Sequence, residues 1–222
     1  MTHVQVLKGS FLESVLEPLE QLRTFDHWLF EQINLDWTNG LLDWLLPSIT
    51  DLHRSKLFIA CSAILLVYWV WKQRSQGFKW VIVLILSIAL ADLFSYRVIK
   101  ANIQRDRPQY VSGLQVELRT HRHTGASFPS NHAANMAAAA TTLSYAFPAY
   151  WPLFVGIAFL IAYSRIYVGV HFPLDVFTGI LIGFTMAWGV RRSLRRWLLP
   201  GGARWLKDEK VRSDGDSSHE QS

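Results

Sequence analysis

An arginine, a histidine and an aspartate recur at fixed spacing in the stretch Ser164-Arg165-Ile166-Tyr167-Val168-Gly169-Val170-His171-Phe172-Pro173-Leu174-Asp175. It lies between two apolar segments, where neither lipid packing nor helix propensity asks for charge. A histidine with one ring nitrogen held by a carboxylate presents the other as a nucleophile or a base, and an arginine fork beside it suits a phosphate. The chemistry that these residue types serve together is phosphoryl transfer. Pro173 has no backbone N–H and fits the first turn of a helix, which puts the helix start near Phe172, His171 just outside it and Asp175 within its first turn. His171 then faces an anion-friendly helix end.

Two further polar clusters carry the same types. One is Lys100, six residues, then Arg107-Pro108; the other is Pro129-Ser130-Asn131-His132, with Ser130 a good N-cap for the alanine-rich run that follows. His121 and His123 flank Arg122 and suggest metal ligands or an extra phosphate contact, but two histidines without further ligands argue weakly for a metal, and we read them as part of a solvated loop.

The elements that must position these clusters are apolar. Half of the 222 residues are hydrophobic, and the single cysteine, Cys61, allows no internal disulfide. The formal charge of +5 comes from basic residues that cluster beside apolar runs with no nucleic-acid-binding motif, so a membrane partner is expected and nucleic acid is not. Trp69, Trp71, Trp80, Trp151, Trp188 and Trp197 fall near the ends of apolar segments, as an interfacial aromatic belt would; buried core tryptophans are the alternative.

Residues 1–24 show a helical stripe of Leu12, Val15, Leu16, Leu19 and Leu22 interrupted by Glu13, Glu17 and Glu20, which Phe25, Trp28, Leu29 and Ile33 repeat. Asn39-Gly40 reads as a turn before a second stripe from Leu41 to Leu46. We expect amphipathic interfacial helices there, a soluble cap packed on the membrane domain being the alternative, with no cleaved signal peptide. Apolar spans are expected at 57–71, 80–99, 130–147, 152–168 and 172–190. Asp92 and Arg97 sit inside the second, and Asp92 is read as a structural hydrogen-bond partner. The small residues Ala133, Ala134 and Ala137 to Ala140 permit close contact by the third. The fold class is therefore all-α: an integral-membrane helical bundle of about five transmembrane helices, six if the N-terminal segment enters the bilayer. Three segments follow: an amphipathic 1–55, a membrane-embedded 56–197 and a disordered, cytoplasmic tail 198–222. Lys72, Arg74 and Lys79 share a side with Arg191, Arg192, Arg195 and Arg196, which makes that side cytoplasmic and puts all three polar clusters on the opposite face.

With its three clusters, the chain resembles the type 2 phosphatidic acid phosphatase superfamily, integral-membrane lipid phosphatases related in their active site to vanadium haloperoxidases. The resemblance covers about residues 57–190. It departs from the family where the second motif most often reads Pro-Ser-Gly-His, since Asn131 replaces the glycine but keeps its backbone N–H. The resemblance implies that Lys100, Arg107 and Arg165 bind the phosphate with the Ser130 hydroxyl and the Asn131 N–H. It implies that His171 attacks phosphorus, oriented by Asp175, and that His132 protonates the leaving oxygen and then activates water. No metal or other cofactor is called for, because three fixed cations take its place. The expected substrate is a lipid phosphate: undecaprenyl pyrophosphate first, with phosphatidylglycerophosphate, phosphatidic acid and a lipid A-like glycolipid also in the family's range. The site is expected at the extracytoplasmic face of a bacterial inner membrane. A lipid phosphotransferase using the same site, and a non-catalytic anionic-lipid binding or transport protein, are the rival readings.

Overall fold

The computed structural model describes residues 3–50, 52 and 55–198. Helix α1 runs from His3 to Glu31 and passes through a widened turn, Gln32–Asp36, before α2, Gly40–Thr50. Helix α3 is Lys56–Gln73, and α4, Ser75–Leu93, continues through a second widened stretch, Phe94–Lys100. After a loop come α5, Asn131–Ala146, α6, Trp151–Tyr167, α7, Pro173–Ser193, and a short α8, Arg195–Leu198. No strand occurs among the described residues. The expected tail lies outside the described residues from position 199, while Leu198 still ends α8.

Each expected span is a helix, but three are long and apolar enough to cross a membrane: Ser75–Lys100, Pro148–Tyr167 and Pro173–Ser193. The apolar part of α3 is shorter, Ile59–Gln73. The 16 residues of α5 rise about 24 Å, less than the ~30 Å of a hydrocarbon core. Large apolar side chains point outward around the bundle, among them Ile64, Leu65 and Trp71 on α3, Ile85 on α4, Phe159 on α6 and Phe184 on α7. A water-facing protein rarely exposes so much, whereas lipid solvates it. Trp205 lies outside the described residues and none of the other tryptophans is buried, which removes the core-tryptophan alternative. The molecule is an all-helical integral membrane protein.

Close packing centres on α5 and α7. A Cβ added at Gly183 would come within 2.0 Å of the Ala134 carbonyl, and one at Gly179 within 2.5 Å of the Ser130 carbonyl. The α5 alanines expected to allow close contact therefore meet glycines four residues apart on α7, a small-xxx-small contact that brings the starts of the two helices side by side. The N-terminal stripe and its repeat form one helix, α1. Phe30, Ile33 and Leu46 from the N-terminal elements share a buried cluster with Tyr167, Phe172 and Val176. At the other end of the bundle, Gln76 and Lys79 donate to the Leu198 and Trp197 carbonyls. The two cationic segments used to orient the chain are thus neighbours.

Candidate active site

The turn between α6 and α7 is built to hold Arg165 and His171. Gly169 takes a left-handed φ of +83° there, and the Val170 and His171 amides both donate to the Arg165 carbonyl, at 3.3 and 3.2 Å. Phe172 is the N-cap of α7, Pro173 is its first residue, and the Asp175 carboxylate accepts the Phe172 N–H at 2.9 Å, as the sequence had indicated for this helix start. Ser130 caps α5 in the reciprocal way, its side chain accepting from the Ala133 N–H at 3.5 Å, and its own N–H donates to the Asp175 carbonyl at 2.9 Å. That bond joins the second cluster to the third.

Arg107 completes the junction. Its guanidinium donates to the Gly125, Val170 and Ala126 carbonyls at 3.1, 3.0 and 3.4 Å, which leaves Nη1 3.3 Å from His171 Nε2. Arg165 is buried, donates to Thr50 Oγ1 at 2.7 Å and faces His123 Nε2 at 3.3 Å. Lys100, at the end of the widened stretch after α4, lies within electrostatic reach of Arg107, Asp175 and Asp92. Asn131 turns its side chain to α4, where Nδ2 donates to Asp92 Oδ1 at 2.9 Å; Asn135 does the same at 3.4 Å. Asp92 is thus engaged as a hydrogen-bond partner. His132 lies in the first turn of α5, half-buried.

His171 is 3 % exposed. Burial pushes its imidazole down to about 3; Asp175 opposes this, while the Arg107 and Arg165 charges add to it. The ring is therefore neutral at physiological pH, with a lone pair free for chemistry. Its Nδ1 stands 3.6 Å from Asp175 Oδ2, too far for a direct hydrogen bond. Between them sits Ser127, whose hydroxyl donates to Asp175 Oδ2 at 2.5 Å and lies 3.4 Å from His171 Nδ1. With its proton committed to the carboxylate, Ser127 offers a lone pair to an Nδ1–H. That arrangement leaves Nε2 unprotonated on the Arg107 side.

The other oxygen of Asp175 accepts from Arg105 at 2.7 Å, and Arg105 also donates to Asp26 of α1 at 2.5 Å. Asp26 is buried and accepts the Leu174 N–H at 2.8 Å, while Arg105 lies 4.1 Å over the Phe172 ring. Sequence reasoning missed Ser127, Arg105 and Asp26, and it assigned His123 to a solvated loop, whereas the structure sets it half-buried against Arg165. Arg105 carried one usable signal, its place two residues before Arg107 between Lys100 and Pro108. Among the described residues no three His, Cys, Asp or Glu side chains gather as a metal-ligating group.

A family model described as the PAP2 superfamily matches residues 80–198, which hold all three clusters. The chain belongs to the PAP2 superfamily. It is 32 % identical to a protein named undecaprenyl-diphosphatase from Sulfolobus acidocaldarius over 166 residues, 74 % of this chain and 76 % of that one. Among solved structures, the crystal structure of Aquifex aeolicus LpxE superposes with a TM-score of 0.62 at 33 % identity, covering 74 % of this chain and 93 % of the other. A transmembrane PAP2-type phosphatidylglycerolphosphate phosphatase from Bacillus subtilis superposes with a TM-score of 0.61 at 20 % identity, covering 87 % and 96 %, which is a likeness of fold. PAP2-family phosphatases hydrolyse phosphate esters, and this membrane protein belongs to the PAP2 lipid phosphatase family. Asp26 lies outside the matched residues, so an element beyond them reaches the Asp175 carboxylate through Arg105.

Proposed function

We propose that this protein hydrolyses a lipid diphosphate, undecaprenyl pyrophosphate by analogy with the Sulfolobus relative, through a phosphohistidine on His171 and without a metal. The observation that carries the reading is the placement of a neutral, buried His171 with Nδ1 toward the Ser127–Asp175 pair and Nε2 toward Arg107. Nε2 attacks the terminal phosphorus; an N–P bond forms and the bond from phosphorus to the bridging oxygen breaks. Lys100, Arg107 and Arg165 stabilise the charge on the phosphoryl oxygens, and the Ser130 hydroxyl and Asn131 N–H add donors at the start of α5. His132 gives its proton to the leaving lipid monophosphate. It then takes a proton from water as that water attacks the phosphohistidine, the N–P bond breaks and inorganic phosphate departs.

Three cations supply what a metal would, which is why we expect turnover in excess chelator. The site opens on the extracytoplasmic face of a bacterial inner membrane, with the C-terminus cytoplasmic, and residues 1–55 brace the membrane-embedded 56–197 from the interface. Phosphate release by the detergent-purified protein, in chelator, from a panel of lipid mono- and diphosphates, beside His171→Ala, tests the reading. Release that survives chelator, with a 32P-labelled protein trapped in the wild type and absent from the variant, supports it. Transfer of label to an acceptor lipid instead of water would replace the hydrolase by a phosphotransferase.

A further inference from the structure

Beside Arg107 lies a cavity of about 550 Å³ between the end of the α4 extension and the loop through Thr124 and Ala126. Arg97, Lys100 and Arg107 line it, with Tyr96, Gln104 and Thr124 among the neutral groups; no carboxylate does. Arg107 is held by three carbonyls. Arg97 makes no side-chain hydrogen bond or ion pair among the described residues, and the Lys100 ammonium makes none either. The two carboxylates nearest Lys100 are already engaged, Asp92 by Asn131 and Asn135, and Asp175 by Arg105 and Ser127. The cavity is therefore positively charged and its charge is unspent.

The phosphoryl group that reacts needs Lys100 and Arg107 but not Arg97. Arg97 lies three residues before Lys100 in the widened stretch, and the two side chains line the same cavity. A lipid monophosphate places its one anionic group against His171 and leaves this third cation without a counterpart. A diphosphate brings a second anionic phosphate one bridging oxygen away, and an arginine fork suits its paired oxygens. We infer that Arg97 and this cavity form a subsite for the second phosphate of the substrate, which selects lipid diphosphates over monophosphates. The inference deepens the hydrolase reading and rests on it for the position of the first phosphate.

The test uses the full-length protein in detergent with a polyprenyl monophosphate and a polyprenyl diphosphate of equal chain length. For Arg97→Ala, the ratio of kcat/KM for the diphosphate to that for the monophosphate is expected to fall about tenfold or more, the loss of one charged hydrogen bond. Arg97→Lys keeps a point charge without the fork and is expected to fall between. A ratio unchanged in both variants overturns the subsite, and so does an equal loss on both substrates, which would make Arg97 a general anchor for lipid headgroups. Calorimetric titration of inorganic pyrophosphate and orthophosphate reads the same site without turnover. If the wild type hydrolyses neither lipid, yet binds pyrophosphate more tightly than orthophosphate through Arg97, the hydrolase reading falls and the subsite stands. Equal binding of the two anions, or a preference that survives Arg97→Ala, overturns the subsite.

Discussion

Replacing Ser127 by alanine isolates the link between His171 and Asp175. The hydroxyl is fully buried, 2.5 Å from Asp175 Oδ2 and 3.4 Å from His171 Nδ1. Without it the carboxylate keeps the Phe172 N–H and Arg105, so Asp175 stays in place, but Nδ1–H faces an oxygen 3.6 Å away. The imidazole then loses the contact that fixes which nitrogen carries the proton. A hydrogen bond to a charged group contributes about 1.5–3 kcal/mol, which is about 10- to 150-fold in rate if lost in the transition state. Because the Nδ1 contact is long, the lower end applies, and kcat should fall about 10- to 30-fold. Ser127 is fully buried and its hydroxyl meets His171 and Asp175, so KM should stay within about twofold. Ser127→Cys, of similar size but a weaker donor, should fall between. Initial rates over a range of lipid concentrations, with single-turnover labelling of His171, measure this, and a melting curve confirms that each variant is folded. A Ser127→Ala kcat within about threefold of the wild type, or a loss confined to KM, would refute the relay and leave Asp175 to act on His171 directly.

Four further outcomes follow from the same geometry. His171, neutral because burial depresses its pKa to about 3, should remain unprotonated at pH 5 in 15N spectra of histidine-labelled protein; titration near the ordinary 6.5 would contradict the buried site. Its folded pKa lies below its unfolded one, so its contribution to stability is complete above about pH 6.5 and is lost as the pH falls toward 3, by at most ~1.4 kcal/mol per pH unit. Between pH 7 and 5 the wild type should therefore lose more melting temperature than His171→Gln. Gly183→Ala drives a methyl to within 2.0 Å of the Ala134 carbonyl and should cost about 3 kcal/mol or prevent folding, whereas Gly156→Ala, with nothing within 4 Å, should be close to neutral; equal melting temperatures would contradict the α5–α7 contact. Asp26→Asn keeps an acceptor for the Leu174 N–H but breaks the ion pair to Arg105, and should cost about 1–3 kcal/mol in chemical denaturation, with no loss counting against the bridge from α1.

What the sequence made legible is what repeats locally. Helix periodicity, the Ser130 cap and Pro173 at the first turn of α7 placed Asn131, His132, His171 and Asp175 at helix starts, because capping chemistry is a matter of three or four adjacent residues. What escaped it depends on contacts between distant residues. Asp26 lies 148 positions from Leu174, and an aspartate on an amphipathic helix reads as a solvated charge until the fold sets it against α7. Ser127 looked like any loop serine because its two partners sit on another element. The alanines of α5 announced a close contact without naming the partner, since Gly179 and Gly183 sit in an apolar run that reads simply as membrane span.

Arg105 and Arg107, two residues apart, differ in what holds them. Both lie on the loop after α4, Arg107 with Nη1 3.3 Å from His171 Nε2 and Arg105 on the Asp175 carboxylate. Arg105 spends its charge on two carboxylates, Asp26 and Asp175, so it can fix the carboxylate but has little left for a substrate anion. Arg107 is held as firmly, but by neutral carbonyls of Gly125, Ala126 and Val170. Carbonyl dipoles satisfy its N–H groups and fix its plane without cancelling its charge, so the full positive charge remains available at low dielectric beside His171 Nε2. The same rule extends to Arg97, which has neither carboxylate nor carbonyl partner and faces a cavity large enough for a phosphate. In this fold the partner of each cation, more than its place in a motif, divides the arginines whose charge a carboxylate cancels from those whose charge is left standing.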